Sequence, residues 1–180
     1  MENYCHNRRF DLKFRFPDSP YNIVLVEPEI PQNTGNIARL SAATNSRLHL
    51  VDPISFRLND RSLKRAGLDY WDDVELCRHN TFESFLSSSS VCNTENVWLF
   101  STLGKTSHFD AEYKAGDCLI FGSEGHGLSD DILAQFPDKI LQIPMVNDNV
   151  RSLNLANSVA VVLYEALRQF NMGQSFHSKD

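Results

Sequence analysis

Apolar residues in this chain fall into two alternating kinds of segment: short continuous runs, and longer stretches in which apolar positions recur every three or four residues. The runs 22–27 (NIVLVE), 47–51 (RLHLV), 97–101 (VWLFS), 117–121 (DCLIF) and 140–143 (ILQI) predict buried strands, with a further short strand at 74–77. Pro28 and Pro31 break the chain after the first run, and Asp52-Pro53 closes the second. Helical spacing predicts a helix capped by Thr34 or Asn36 and running to about Thr44, with Ile37, Leu40 and Ala43-Thr44 facing the core. A short helix follows near 60–66, and another at 81–86 with Phe82, Phe85 and Leu86 inward. Ser87 to Ser90 reads as a loop. Ser129 caps a helix through about Phe136, with Asp130 and Asp131 suited to its positive N-terminal end.

The longest helical pattern, 153–170, carries Leu155, Val159, Val162, Leu163, Ala166 and Phe170 at helical spacing. Val161, Tyr164 and Leu167 widen its apolar surface beyond one stripe. That width calls for a second packing surface, such as a dimer interface, or for a helix sunk entirely into its own domain. Strands alternating with helices predict an α/β fold, a parallel sheet with helices on both faces. There is no internal repeat and no domain boundary after about residue 21. The expected division is an N-terminal extension at 1–21, partly disordered, one domain at 22–172 and a tail at 173–180.

Three polar segments interrupt this pattern just after predicted strands. They are Asn33-Thr34-Gly35-Asn36-Ile37-Ala38-Arg39, then Phe121-Gly122-Ser123-Glu124-Gly125-His126-Gly127-Leu128, then Ile143-Pro144-Met145-Val146 running on to Arg151-Ser152-Leu153-Asn154-Leu155-Ala156-Asn157. Each leads into a helical pattern. Loops rich in Gly, Asn and Ser at the carboxyl ends of parallel strands predict one composite ligand site. Their small residues let backbone N–H and C=O groups approach a ligand closely. Such a lining suits a small molecule with a polar base and ribose.

Composition narrows the partners. The 180 residues, 42% of them hydrophobic, suffice for one domain with a real core. No apolar run approaches the roughly 18 residues of a membrane span, and the basic but polar stretch from Met1 to Pro20 has no secretory h-region. The formal net charge of -6 argues against indiscriminate nucleic-acid binding but leaves room for a local basic patch. Arg57, Arg61, Lys64 and Arg65 form one, or else a solvated helix face. Cys5, Cys77, Cys92 and Cys118 are scattered with no CxxC pair, so reduced thiols in a cytoplasmic protein are expected, Cys118 among them as a buried thiol. The histidines show no ligand spacing, and no metal is expected.

Familiar cofactor motifs are missing: there is no GxGxxG after the first strand, no GxxxxGK[ST] and no GxSxG. The three polar segments, in this order and spacing, instead resemble the three motifs of the SPOUT superfamily of S-adenosylmethionine-dependent RNA methyltransferases. The resemblance covers nearly all of 22–170. Within it the chain is most similar to the single-domain tRNA 2'-O-methyltransferases acting on the wobble nucleotide, through Glu27-Pro28-Glu29-Ile30-Pro31-Gln32-Asn33-Thr34-Gly35-Asn36-Ile37 and Arg65-Ala66-Gly67-Leu68-Asp69-Tyr70. Ile143-Pro144-Met145 and Arg151-Ser152-Leu153-Asn154-Leu155 add to it.

The resemblance implies a C-terminal deep trefoil knot, a feature that general folding rules disfavour. It implies S-adenosylmethionine held in that knot, with Phe100, Thr102, Gly122, Glu124, Ile143, Ser152 and Leu153 at the cofactor. Arg39 is the implied residue for chemistry, helped by Asn33 and Asn154. Because a guanidinium is not deprotonated in proteins, Arg39 suits stabilising a 2'-alkoxide or clamping phosphate. Asn36, Arg57, Arg61, Lys64, Arg65 and Arg151 are the implied RNA contacts, and Tyr164 a contact in a homodimer. Each has a structural alternative: Asn33, Asn36 and Ser152 as helix caps, Glu124 as an organiser of its loop through backbone N–H groups, Tyr164 as core. The expected reaction is methylation of a wobble ribose 2'-OH in tRNA. Rival readings are a SPOUT enzyme acting on another tRNA or rRNA ribose, and a non-catalytic RNA-binding module on the same fold.

Overall fold

The computed structural model describes residues 14–56, 73–88 and 96–175. Its strands are β1 (Asn22–Val26), β2 (Arg47–Val51), β3 (Leu76–His79), β4 (Val97–Phe100), β5 (Thr106–Ser107), β6 (Cys118–Phe121) and β7 (Ile140–Gln142). Its α-helices are α1 (Pro31–Thr44), α2 (Phe82–Ser87), α3 (Asp130–Gln135) and α4 (Leu155–Ser175). The seven strands form one sheet in the order β3-β2-β1-β6-β4-β7-β5, and every pairing is parallel. The expected α/β class and parallel sheet are therefore observed.

Side-chain alternation along the strands splits the core in two. Ile23, Leu25, Leu48, Leu50, Leu119, Phe121 and Leu141 join Ile37 of α1 and Val159, Val162, Leu163 and Ala166 of α4 in one cluster. Val24, Val26, Val51, Leu99 and Ile120 pack with Phe82 and Phe85 of α2 and with Ile132 and Leu133 of α3 in the other. Helices thus cover both faces, and continuous apolar strands are what burial on both faces requires.

Helix starts depart from expectation at two places. α1 begins at Pro31 rather than at a Thr34 or Asn36 cap, and its N-cap residue Ile30 makes no side-chain cap bond. Proline suits the first helical position because its missing N–H is an orphan there anyway, so Pro31 starts a helix instead of breaking a chain. Ala43, expected inward, is exposed. α4 begins at Leu155, two residues late, because Asn154 and not Ser152 is its cap: Asn154 Oδ1 accepts from the N–H of Ala156 at 3.0 Å and of Asn157 at 3.3 Å. The same helix continues to Ser175, past the expected Phe170. Ser129 caps α3 as expected, accepting from Ile132 N.

Other differences are small. The strand expected at 74–77 lies at Leu76–His79, and the short β5 was not foreseen. Of the N-terminal extension, Arg15 is tied to α4: its N–H donates to Asn171 Oδ1 at 3.0 Å, and its C=O accepts from Asn171 Nδ2 at 2.8 Å. Cys118, expected as a buried thiol, is disulfide-bonded, whereas Cys77 is free. The helix expected at 60–66 lies outside the described residues. No helix among the described residues is long and apolar enough to cross a membrane.

Candidate active site

A cavity of about 610 Å³ opens at the carboxyl ends of β4, β6 and β7. Phe100 and Phe121, the last residues of β4 and β6, form its apolar floor, their rings stacked 4.6 Å apart with 14° between planes. Leu155 and Ile143 add apolar walls, and the polar rim comes from Ser101, Thr102, Ser123, Arg151, Ser152, Asn154 and Ser158. Cofactor sites are of this size and mix apolar walls with a few placed polar groups.

The loop after β6 shapes one wall. Ser123 and Gly127 exchange backbone hydrogen bonds at 3.2 and 2.9 Å, closing a tight turn around Glu124, Gly125 and His126. Gly127 takes φ +73°, a left-handed conformation that glycine adopts without strain. At Gly122 a Cβ would stand 2.0 Å from the Gly127 carbonyl carbon, so only glycine admits the closed turn.

Glu124 lines the cavity and also reaches the start of α1. Its carboxylate accepts from the N–H of Glu29 at 2.8 Å, from the N–H of Ile30 at 3.3 Å and from Asn33 Nδ2 at 2.8 Å. It therefore supplies acceptors at the start of a helix that has no cap of its own, where negative charge is favoured. Asn33 Oδ1 in turn accepts from Asn154 Nδ2 at 2.9 Å. Arg151 donates through Nη2 to the Glu124 carbonyl at 3.3 Å. Residues 91 to 121 positions apart thus meet at one point, joining all three polar segments.

The expected cofactor residues Phe100, Thr102, Gly122, Glu124, Ile143, Ser152 and Leu153 all line the cavity. Asn154 and Arg151 line it as well. Asn33 is buried behind the rim and reaches it through Asn154. Asn36 and Arg39 are exposed on α1, three residues apart and so on one side of the helix. Arg39 lies six residues beyond Asn33, about 9 Å along the axis, and is not part of the cavity wall. Tyr164 is 54% exposed on α4, with Val161 at 40% one turn away, so it is not core. Arg57, Arg61, Lys64 and Arg65 lie outside the described residues. Among the described residues no group of three His, Cys, Asp or Glu side chains is placed to hold a metal ion. The residue missed is Glu29, whose carboxylate accepts from the N–H of Gly125 at 2.9 Å. It stands within the 27–37 stretch that carries the resemblance, but no role is assigned to it there.

A parallel sheet with a ligand cavity at its carboxyl ends, walled by the segments that follow β4, β6 and β7 and backed by the start of α1, defines an α/β protein of the SPOUT methyltransferase fold. The chain belongs to the SpoU rRNA Methylase family, whose profile matches residues 20–164. Among curated relatives, the tRNA (cytidine(34)-2'-O)-methyltransferase of Escherichia coli strain K12 is 46% identical over 149 residues, covering 82% of this chain and 92% of the relative. The enzyme of the same name from Polaromonas sp. is 44% identical over 158 residues, 87% of this chain and 95% of the relative. A solved structure from work on the 2-OH methylation of C/U34 on tRNA is 45% identical with a TM-score of 0.77, covering 84% of this chain and 97% of that one. The SpoU methyltransferase AviRb from Streptomyces viridochromogenes, solved with AdoMet, shares the fold at 22% identity and a TM-score of 0.74, over 87% of this chain and 60% of that one.

Proposed function

We propose that this chain methylates the ribose 2'-OH of the wobble nucleotide of tRNA, cytidine or a modified uridine, using S-adenosylmethionine, and that it works as a cytoplasmic homodimer. The observation that carries the reading is the link between Asn154 and Asn33: it fixes the helix bearing Asn36 and Arg39 against the rim of a cofactor-sized cavity. Relatives 44–46% identical over more than four fifths of the chain bear the name of that activity.

The residues present fit the cofactor. Stacked Phe100 and Phe121 with Ile143 and Leu155 offer an apolar bed for an adenine, with Gly122 beside them in the lining. Thr102, Ser152 and Leu153 at the rim would hold the ribose and the amino-acid end. When bound, S-adenosylmethionine supplies a methyl group already activated on a sulfonium.

The chain's own task is alignment and charge. Asn154 and Asn33 hold the rim and α1 in one register, and Arg39 stabilises negative charge growing on the 2'-oxygen or clamps an adjacent phosphate. Arg39 is not a proton acceptor, because a guanidinium keeps its proton at any working pH. Its distance from the cavity wall fits a site shared between subunits, with Arg39 of one chain serving the cofactor of the other. The exposed stripe Val161, Tyr164 and Met172 on α4 is the expected dimer contact. Arg57, Arg61, Lys64, Arg65, Asn36 and Arg151 would grip the RNA. The strand order places β7 between β4 and β5, and a Cβ at Gly104 would meet the Leu141 backbone at 2.6 Å; this close crossing supports a trefoil knot at the C-terminal end.

The test is methyl transfer from labelled S-adenosylmethionine to unmodified tRNA, followed by nucleoside mapping. Label on the wobble ribose 2'-oxygen is the expected result. Label on another ribose moves the target within the family, and no label without cofactor binding leaves an RNA-binding module.

A further inference from the structure

Glu29 stands on an exposed loop, where a carboxylate is normally solvated, yet it turns back into the chain. Its Oε2 accepts from the N–H of Gly125 at 2.9 Å, 96 residues away. In the opposite direction, the N–H of the same Glu29 donates to Glu124 Oε2 at 2.8 Å. Two carboxylates, each accepting from the other segment's backbone, make a reciprocal clamp between the loop before α1 and the turn that walls the cavity. Ser55 Oγ donates to the Glu29 carbonyl at 3.1 Å and holds the loop from its other side. Hydrogen bonds to ionised acceptors are stronger and more directional than neutral ones.

Gly125 shows how closely the carboxylate approaches the turn. Its backbone is not left-handed, so conformation does not demand glycine there. A Cβ would lie 2.8 Å from Glu29 Oε2 and 3.1 Å from Oε1, so a larger residue would make the carboxylate shift. The turn and the carboxylate are fitted to each other.

We propose that Glu29 is a positioning residue for methyl transfer: through Gly125 and Glu124 it sets the cavity wall in register with α1, and so with Asn33 and Arg39. This rests on the methyltransferase reading above. Glu29 itself does not line the cavity. Losing its carboxylate removes one half of the clamp and leaves the turn held to α1 by Glu124 alone, which loosens the register of the reacting groups, a fault to which rate is more sensitive than binding.

The experiment is single-turnover methylation of unmodified tRNA at saturating S-adenosylmethionine, with S-adenosylhomocysteine titrated calorimetrically into the same preparations. For Glu29→Ala the expected rate per cofactor site falls at least tenfold, with the number of sites unchanged and the dissociation constant within threefold. Glu29→Gln, which keeps an acceptor oxygen, recovers part of the rate. Gly125→Ala, which pushes on the carboxylate from the other side, reproduces the Glu29→Ala defect. A rate that falls only in proportion to the number of intact sites assigns Glu29 to folding and overturns the proposal. So does a wild-type rate per site in Glu29→Ala. A wild-type chain that methylates no tRNA overturns instead the reading on which the clamp depends.

Discussion

Two polar clusters in this molecule use the same kind of residues for different ends. At the carboxyl end of the sheet, Glu124, Asn33 and Asn154 are chained by hydrogen bonds of 2.8 and 2.9 Å beside an open cavity. Inside the sheet, Asn22, His49 and His79 are chained as well: His49 Nε2 lies 3.3 Å from Asn22 Oδ1, and His49 Nδ1 lies 3.0 Å from His79 Nε2. Asn22 Nδ2 donates to the Gly116 carbonyl, so its Oδ1 is the acceptor and His49 carries its proton on Nε2. Phe85 closes this second cluster, edge-on to both rings at 5.5 and 5.3 Å. Buried, satisfied polar groups are thus no mark of a site by themselves. What separates the clusters is that one ends in a cavity and the other in a phenylalanine.

The sharpest break between them is kinetic. Arg39→Ala should lower methyl transfer at least about 100-fold, the scale of removing one charge-stabilising donor, while S-adenosylhomocysteine affinity stays within about threefold. Parallel assays of rate and binding check this, and lost cofactor affinity would contradict the role given to Arg39. The cluster within the sheet should answer to pH instead. Burial first, then the nearby charges of His79 and Arg47, lowers the His49 pKa from 6.5 to about 4. Burial lowers that of His79 too. Between pH 6.5 and about 4 the unfolded chain therefore binds more protons at His49 than the folded chain. Stability is fully present above pH 6.5 and declines as pH falls, by roughly 3 kcal/mol for His49 alone. Urea unfolding at pH 7 and pH 4.5 measures it, and equal stabilities would show that the histidines do not titrate as the burial requires.

A smaller effect tests whether the open cluster acts as a unit. Asn33→Ala and Asn154→Ala each remove one end of a 2.9 Å bond, and Asn154→Ala also uncaps α4. In a double-mutant cycle on transfer rate, the pair should couple by about 1 kcal/mol, since each single change already breaks the shared bond. Strict additivity would make the two asparagines independent, leaving Asn154 as a helix cap and nothing more.

How much of this was legible beforehand follows from the range of the interactions. Strands buried on both faces are written in local apolar runs, and β1, β2, β4, β6 and β7 are each found within a residue of expectation. The cavity lining was legible only through the family resemblance, which is why Phe100, Gly122 and Ser152 were named, and they do line it. Local reading failed where a distant group supplied what a local one usually does. α1 has no side-chain cap of its own, because Glu124 brings its acceptors from 94 and 95 residues away. The cap that Ser152 offered as its structural alternative is supplied by Asn154, which also reaches Asn33. The role of Glu29 was illegible because its partner, the N–H of Gly125, has no side chain to advertise it.

The mildest perturbation is the control for all of these. Ser129 caps α3 on the face of the sheet opposite α1 and α4, accepting from Ile132 N at 3.4 Å. α3 begins right after the loop that walls the cavity, so a cavity sensitive to any loosening nearby would feel the loss of this cap. A cavity held by the Glu29, Glu124 and Asn33 contacts would not. Ser129→Ala should therefore cost about 1 kcal/mol of stability, the usual loss for a serine N-cap, and leave the transfer rate per cofactor site unchanged. Thermal unfolding and single-turnover rates on one preparation separate the two. A rate that drops with the cap would show that the turn is positioned from α3 as well, and would dissolve the division between a cluster that works and one that only holds.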